Sequence, residues 1–283
     1  MKIYDCFNFF NELDILELRL NILNDSVDYF VIVESSVKHS GEIKPFYFEE
    51  NKERYSKFLD KIIHFKVYDT PERFDNLESG SDETLNQIYN FANNQPHFRF
   101  CKHSQPDYGR DFFQKECVRR PLVNCKDEDV IIISDLDEIP NPDILTNIKS
   151  LDFNNIYRFN QNMYCYYLNV LKEHNWFGSR MLSYKRLKDL SINEIRGDNN
   201  LSVEINNGGW HFSFVGGEEM VKNKIKSYSA RDLGSDRVFD SIKSNIENNI
   251  DPFFRGNLQK VKMDNSYPEY LLKNLDKYKH LVK

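Results

Sequence analysis

The sequence predicts an α/β fold in which a mostly parallel central sheet carries helices on both faces. Three observations lead there. Short apolar runs alternate with stretches of helical periodicity through the first half of the chain, the pattern of strand–helix–strand units. Two of those runs, Phe30–Val33 and Val130–Ile133, are apolar throughout, as expected of strands buried on both faces. The second leads directly into Asp135-Leu136-Asp137-Glu138. That places acids at the carboxyl end of a strand, where such sheets bind ligands.

The elements follow in order. Lys2–Phe7 is the first strand. Asn11 is placed to cap a helix from Glu12 to Asn24, with acids in its first turn and Leu13, Leu16, Leu20 and Leu23 on one face. Tyr29–Glu34, nearly all apolar, is the second strand. The charged stretch Lys52–Leu59 looks helical, and Lys61–Val67 is the third strand. Residues 69–105 are polar, rich in asparagine and weakly periodic. Arg110–Arg120 is helical and stops at Pro121, which lacks a donor and clashes with the preceding turn. Asp129–Ser134 is the clearest strand. Asn155–Leu168 and Ser179–Tyr184 are aromatic-rich strands, followed by Gly208-Gly209-Trp210-His211-Phe212. Helical patterns return at Glu218–Ser229, Asp236–Asn248 and Glu269–Leu281. With no internal repeat and no Pro/Gly/Ser linker, residues 1–283 form one domain in this reading.

Composition narrows the function. The chain has 283 residues, 40% of them hydrophobic and 29% charged, with a net charge of −6. Mean hydropathy is −0.64. The longest apolar runs are strand-sized, whereas a membrane span needs about 20 apolar residues, so no integral membrane segment is expected. The first residues lack the pattern of a secretory signal. Net acidity argues against nucleic acid as a partner, because that binding neutralises phosphates with clustered Lys and Arg. The five cysteines are odd in number and form no CxxC pair, which fits buried thiols in a cytoplasmic protein. The Lys-rich tail from Lys273 to Lys283 is read as a solvated helix face, with peripheral membrane contact as the other reading.

Asp135 and Asp137 flank one residue at a strand end. Two carboxylates so spaced can converge on one hard divalent cation, which prefers oxygen ligands and can also hold two phosphate oxygens of a nucleotide. The spacing alone is weak, since Asp127-Glu128-Asp129 matches it too. That second match precedes the strand and reads as a solvated acidic turn. Position singles out the later pair, which caps an apolar strand and is followed by Pro140 and Pro142. The competing reading is an acidic loop without a ligand.

Several segments recur in order: IYDCFNFFNELDILELRLNIL near the start, YFVIVESS at the second strand, VIIISDLDEIP, GGWHFSF, and YPEYLLKNLDKYKHL in the tail. Together they resemble glycosyltransferase family 17, the β-1,4-mannosyl-glycoprotein 4-β-N-acetylglucosaminyltransferase-like proteins. The resemblance covers nearly the whole chain and is weakest at residues 69–105. It implies a GT-A-like nucleotide-sugar transferase fold, with residues 1–150 as the nucleotide-sugar-binding half and 151–283 as the acceptor half. It also implies a divalent cation, manganese before magnesium, and inverting transfer of N-acetylglucosamine from a UDP-sugar donor to a glycan or glycoconjugate acceptor. The animal members carry an N-terminal membrane anchor, and this chain reads as a soluble relative without one.

The same resemblance suggests roles for single residues. Asp137 is the first metal ligand and Asp135 the next, near the ribose. His211, in GGWHFSF, resembles the late histidine that completes the metal shell, and Gly208 and Gly209 would let backbone approach closely. Against this stands a histidine packed beside Trp210. Glu34 ends the second strand where ribose or base is received, or else faces water. Arg110 suits a phosphate, and Asp111 is either a binding residue or a first-turn helix acid. Glu219, Asp198 and Glu138 are the candidate bases for the acceptor hydroxyl. Tyr164, Tyr166, Tyr167, Trp176 and Phe177 would stack on acceptor sugars or belong to the core. The alternatives are a non-catalytic nucleotide-sugar or glycan-binding module and a magnesium-dependent phosphohydrolase. The latter usually has Thr or Val where Glu138 stands.

Overall fold

The computed structural model describes residues 1–74, 80–94, 106–197, 202–227, 229 and 233–283. Among the described residues ten strands form one sheet: β1 (Ile3–Asn8), β2 (Tyr29–Ser35), β3 (Ile62–Val67), β4 (Val130–Asp135), β5 (Glu138–Pro140), β6 (Ile156–Cys165), β7 (Val170–Trp176), β8 (Arg180–Ser183), β9 (Ser202–Ser213) and β10 (Gln259–Lys260). Their order is β10-β7-β6-β8-β4-β1-β2-β3, with β9 on β6 and β5 on β9. Pairing is parallel through β3-β2-β1-β4, as the sequence predicts. β8 then joins β4 antiparallel, and β6 pairs antiparallel with both β8 and β7.

Period-two alternation explains why helices cover both faces. Phe30, Ile32, Val130 and Ile132 enter one core cluster, with Leu16 and Leu20 of the helix Leu13–Leu23. Val31, Val33, Ile131 and Ile133 point the other way, into a cluster with Phe112, Phe113 and Leu187. Each such side chain, when fully buried, stabilises the fold by roughly 1.5–3 kcal/mol. Phe214, Val221, Ile225 and Ile242 form a third, smaller cluster beneath the helices Gly217–Ser227 and Asp236–Asn248.

Several elements depart from expectation. The first helix starts at Leu13, and its N-cap Glu12 makes no side-chain cap, so Asn11 does not cap it. The helix expected at Arg110 begins earlier, at Pro106, and passes at Cys117 into a 3₁₀ segment that contains Pro121. Tightened turns accommodate proline there. The tail is three short pieces, Glu269–Lys273, Leu275–Tyr278 and Lys279–Leu281. It is not a free solvated face: Lys277 pairs with Glu17, and Lys283 Nζ donates to Ile246 O at 2.8 Å and Asn249 Oδ1 at 2.6 Å. Nor is Asp127-Glu128-Asp129 wholly solvated. Asp129 is buried and accepts from Lys2 N and Lys126 N, which joins the start of the chain to β4. Of the cysteines, Cys6, Cys117 and Cys165 are buried, Cys125 is half-buried, and all four are free; Cys101 lies outside the described residues. No helix among the described residues is long and apolar enough to cross a membrane.

Candidate active site

The carboxyl ends of β1, β2 and β4 open on a cleft of about 300 Å³. Its centre is the turn Asp135–Glu138, whose shape is set by a residue the sequence reading passed over. Arg19 is fully buried on the helix Leu13–Leu23. Its Nη1 donates to three carbonyls of the turn, Asp135 at 3.1 Å, Leu136 at 2.9 Å and Glu138 at 2.8 Å. A bidentate pair with Asp5, at 2.6 and 2.8 Å, balances the guanidinium charge. The signal was present in the sequence, since Arg19 follows Leu16 by three residues and so sits on the helix's apolar face.

The turn delivers its acids to different surroundings. Asp137 is buried, with Oδ2 2.6 Å from Lys224 Nζ and Oδ1 3.5 Å from His211 Nε2. Burial alone would raise its pKa, but Lys224 and His211 outweigh burial and hold the carboxyl well below the usual range. Lys224 also reaches Glu12 Oε1 at 3.1 Å, and the two acids hold its ammonium charged despite burial. His211 arrives through sheet register: β9 runs antiparallel to β5, pairing His211 with Glu138, and Phe212 N donates to Asp137 O. The Trp176 ring covers the imidazole at 4.8 Å. Asp135 is the more exposed acid, with its side chain 43% accessible and Oδ2 2.9 Å from Arg196 Nη2.

Glu138 faces inward. Its oxygens accept from Trp176 Nε1 at 2.9 Å, Asp135 N at 2.9 Å and both Arg196 Nη atoms at 2.9 and 3.2 Å. Burial would raise its pKa, yet Arg196 and then His211 bring it down to about 2. A carboxylate so enclosed is a positioning group for Asp135 and Trp176. Gly178 makes room for it: a Cβ there would lie 1.8 Å from Glu138 Oε1. The close approach at Gly208 and Gly209 is likewise internal. A Cβ at Gly209, whose φ is +125°, would meet Ile139 O at 2.2 Å, and one at Gly208 would meet Asn160 N at 2.6 Å.

The remaining sequence candidates divide. Asp111 lines the cleft. Burial would raise its pKa, but Lys115, His39 and a hydrogen bond from Ser229 hold it at about 2. Arg110 does not line the cleft. It donates to His39 O at 2.9 Å, Asp107 Oδ1 at 3.0 Å and Glu72 O at 3.2 Å, clamping the loop that carries His39. Glu34 is fully buried and accepts from Lys44 Nζ, Tyr47 N and Phe48 N, with His64 Nε2 at 3.2 Å. It meets the cleft only through Lys44, which does line it. Glu219 is exposed in the first turn of the helix Gly217–Ser227 and is not a lining residue. Asp198 lies outside the described residues. Of the aromatic candidates Trp176 lines the cleft, whereas Tyr164 and Tyr166 are core. Arg158 lies over Phe177 at 4.5 Å, and Lys283 over Tyr167 at 6.0 Å.

Asp137 and His211 suit a hard-to-borderline divalent cation, one supplying a carboxylate and the other an imidazole. Buried His211 Nδ1 has no hydrogen-bond partner in the structure. Among the described residues no group of three or more Asp, Glu, His or Cys side chains forms a cage for an ion. A cation shared with phosphates needs none, because magnesium-like ions often take one or two carboxylates plus phosphate oxygens. The donor set fits that role.

Fold and site define an α/β protein with a charged cleft at the carboxyl ends of its parallel strands, where open sheets of this kind bind ligands. Sequence comparison makes the class specific: the chain belongs to glycosyltransferase family 17, whose model matches residues 1–88 and 81–251. It is similar to rat and human β-1,4-mannosyl-glycoprotein 4-β-N-acetylglucosaminyltransferases, each 30% identical over 152 residues, which is 53% of this chain and 24% of the relative. The mouse enzyme of that name is 29% identical over the same length. The alignment thus spans about a quarter of these relatives.

Proposed function

We propose that this protein is a metal-dependent, inverting glycosyltransferase that moves N-acetylglucosamine from a UDP donor to a glycan acceptor, on a GT-A-like fold. The convergence of Asp135, Asp137, His211 and Lys224 at one strand end carries this reading. The β3-β2-β1-β4 order with acids after β4 supports the fold assignment. Family membership and the names of the similar enzymes support the sugar transferred.

In the transfer, the bond from the sugar's anomeric carbon to the β-phosphate oxygen breaks, and its electron pair leaves with UDP. The acceptor oxygen bonds to that carbon from the opposite face, and its proton passes to a carboxylate base. Charge therefore grows on the departing diphosphate, and preorganised positive groups there accelerate the reaction. Asp137 and His211, with Asp135 beside them, would hold the divalent cation. A bound cation of this kind supplies Lewis-acid stabilisation of the leaving group. Lys224 brings a second positive charge within reach of the same oxygens. Arg19 and Arg196 fix the turn, so its acids need no rearrangement when the donor arrives. Glu219 and Asp198 are the sequence's nominees for the base, each tested by amide substitution.

The decisive experiment incubates the purified protein with a UDP-sugar panel, with and without manganese, and measures UDP release. Manganese-dependent release from UDP-N-acetylglucosamine that disappears in Asp137→Ala supports the proposal. UDP binding without turnover on any acceptor would favour a binding module, and phosphate release from simple phosphomonoesters would favour a phosphohydrolase.

A further inference from the structure

The wall of the cleft formed by β7 and the segment around Asp251 carries polar groups that the proposed donor chemistry does not use. Lys172 on β7 and Arg255 line it, beside Phe214 and Phe253. Both cations are anchored from behind by Asp251, which is 1% exposed and does not line the cleft. Arg255 meets Asp251 through Nε at 2.9 Å and Nη2 at 3.0 Å, and Lys172 Nζ lies 3.3 Å from Oδ2. Phe253 N at 2.8 Å and Arg255 N at 3.5 Å complete the acceptor shell of Asp251. Glu173, 3.7 Å from Lys172 Nζ, is the other acid nearby and also lies outside the lining. The acids thus stand behind the wall while the two cations face the cavity.

The floor there is aromatic. Phe214 and Phe253 meet edge to face at 5.9 Å, and the Arg255 guanidinium lies 4.9 Å from the Phe253 ring centre. The bias extends along the whole cleft, where Lys38, Lys44, Lys115, Lys172, Lys224 and Arg255 outnumber the carboxylates Glu12, Asp111, Asp135 and Asp137. This holds in a chain whose net charge is −6. Lys38, Lys44 and Lys115 have close partners in Glu42, Glu34 and Asp111, and Lys224 sits at the centre. β7 continues the edge of β6 that β8 begins, pairing with Gln161–Tyr164 where β8 pairs with Tyr157–Arg158, and the Phe214 ring centre lies 5.5 Å from Lys224 Nζ, so this end of the cleft adjoins the Asp137 centre. Lys172 and Arg255 pair with Asp251, whereas Asp135 and Asp137 pair with Arg196, His211 and Lys224, so a diphosphate held at Asp137 would leave the first two cations for another group.

We propose that this end of the cleft binds an acceptor sugar bearing an anionic substituent, a carboxylate or a phosphate ester. The sugar's apolar face rests on Phe214 and Phe253, and its charge meets Arg255 and Lys172. The inference rests on the transferase reading for calling this sugar an acceptor, but the binding itself is measured separately. A glycan array would carry neutral oligosaccharides alongside matched versions bearing glucuronate, sialate or a sugar phosphate. It is probed with the full chain in saturating UDP and manganese. The acidic members of the pairs are expected to bind about tenfold more strongly than the neutral ones, and the carboxylate and phosphate arms identify the group. Arg255→Ala and Lys172→Ala should each remove most of that preference, Arg255→Lys should keep part of it, and UDP affinity should not change in any of them. Equal binding of neutral and acidic partners, retention of no acidic glycan, or a preference that survives the double alanine variant would overturn the proposal. Failure of the wild-type chain to bind UDP would instead strike at the donor reading, with the array result unaffected.

Discussion

Glu34 and Asp137 are delivered in the same way: an apolar, doubly buried strand or its turn ends and presents a carboxylate at the ligand-binding edge of the sheet. Their surroundings differ in one respect. Glu34 is enclosed by Lys44, two backbone amides of the helix Tyr47–Glu50 and His64, and it does not line the cleft. Asp137 has Lys224 and His211 as partners, with no backbone amide of the described residues on its carboxylate oxygens, and it borders the cleft. An acid at a strand end is therefore not itself a functional signal. What separates the two is whether backbone amides enclose the carboxylate or open space adjoins it. Substitutions at the two positions should consequently fail in different ways.

The largest effect is expected from closing off the structural member of the pair. Glu34→Ala leaves Lys44 buried without its partner and two helix amides without an acceptor, a loss of about 3–5 kcal/mol. Thermal unfolding should show a melting temperature lower by on the order of 10 °C, while the folded fraction keeps its UDP affinity within about twofold. A variant that melts normally but loses UDP affinity would move Glu34 into the site and erase the contrast. Asp137→Asn should do the reverse. Transfer should fall by about 10²–10³-fold, with a smaller drop in melting temperature than Glu34→Ala shows, because Lys224 retains Glu12. Collapse of the fold in this variant would make Asp137 a second Glu34.

Asp111 stands between these extremes, since it lines the cleft yet is held by Lys115, His39 and Ser229. Its pKa of about 2 lies below the usual 3.8. A depressed carboxylate pKa adds stability above the unfolded value, and that stability is lost as pH falls through the folded value. Between about pH 4 and pH 2 this group should account for a loss of about 2 kcal/mol. Denaturant titrations across that window should show a shallower acid slope in Asp111→Asn than in wild type. Identical slopes would mean that its partners do not hold the carboxylate in solution.

The contrast also marks what was legible in the sequence. Apolar runs and period-two alternation carry the parallel half of the sheet, because strands buried on both faces leave little choice of residue. The Asp135–Asp137 pair and His211 were legible because a strand end and a glycine-flanked segment fix where they lie. Arg19, Arg196 and Lys224 were not singled out, although two of them sit on helix faces that are otherwise apolar. Their partners lie 116, 61 and 87 residues away, and no local pattern records a contact across that distance. The same limit applies to Glu138. Its neighbours in sequence suggested chemistry, but Arg196 and Trp176 make it a positioning group.

Glu219 is expected to show the smallest effect, and it tests the comparison from the other side. It is an exposed acid outside the cleft lining, in the first turn of the helix Gly217–Ser227. In that position a carboxylate favours the helix dipole, worth about 0.3–1 kcal/mol. Glu219→Gln should therefore cost at most about 1 kcal/mol in a denaturant melt, with initial rates of UDP release to acceptor within about threefold of wild type. A general base contributes roughly 10²–10⁴-fold, so the two roles are easily told apart in one assay. A drop of that size, with the melt unchanged, would make Glu219 the base. It would also require the helix to bring its first turn over the cleft during turnover, along with Lys224, which the same helix already places against Asp137.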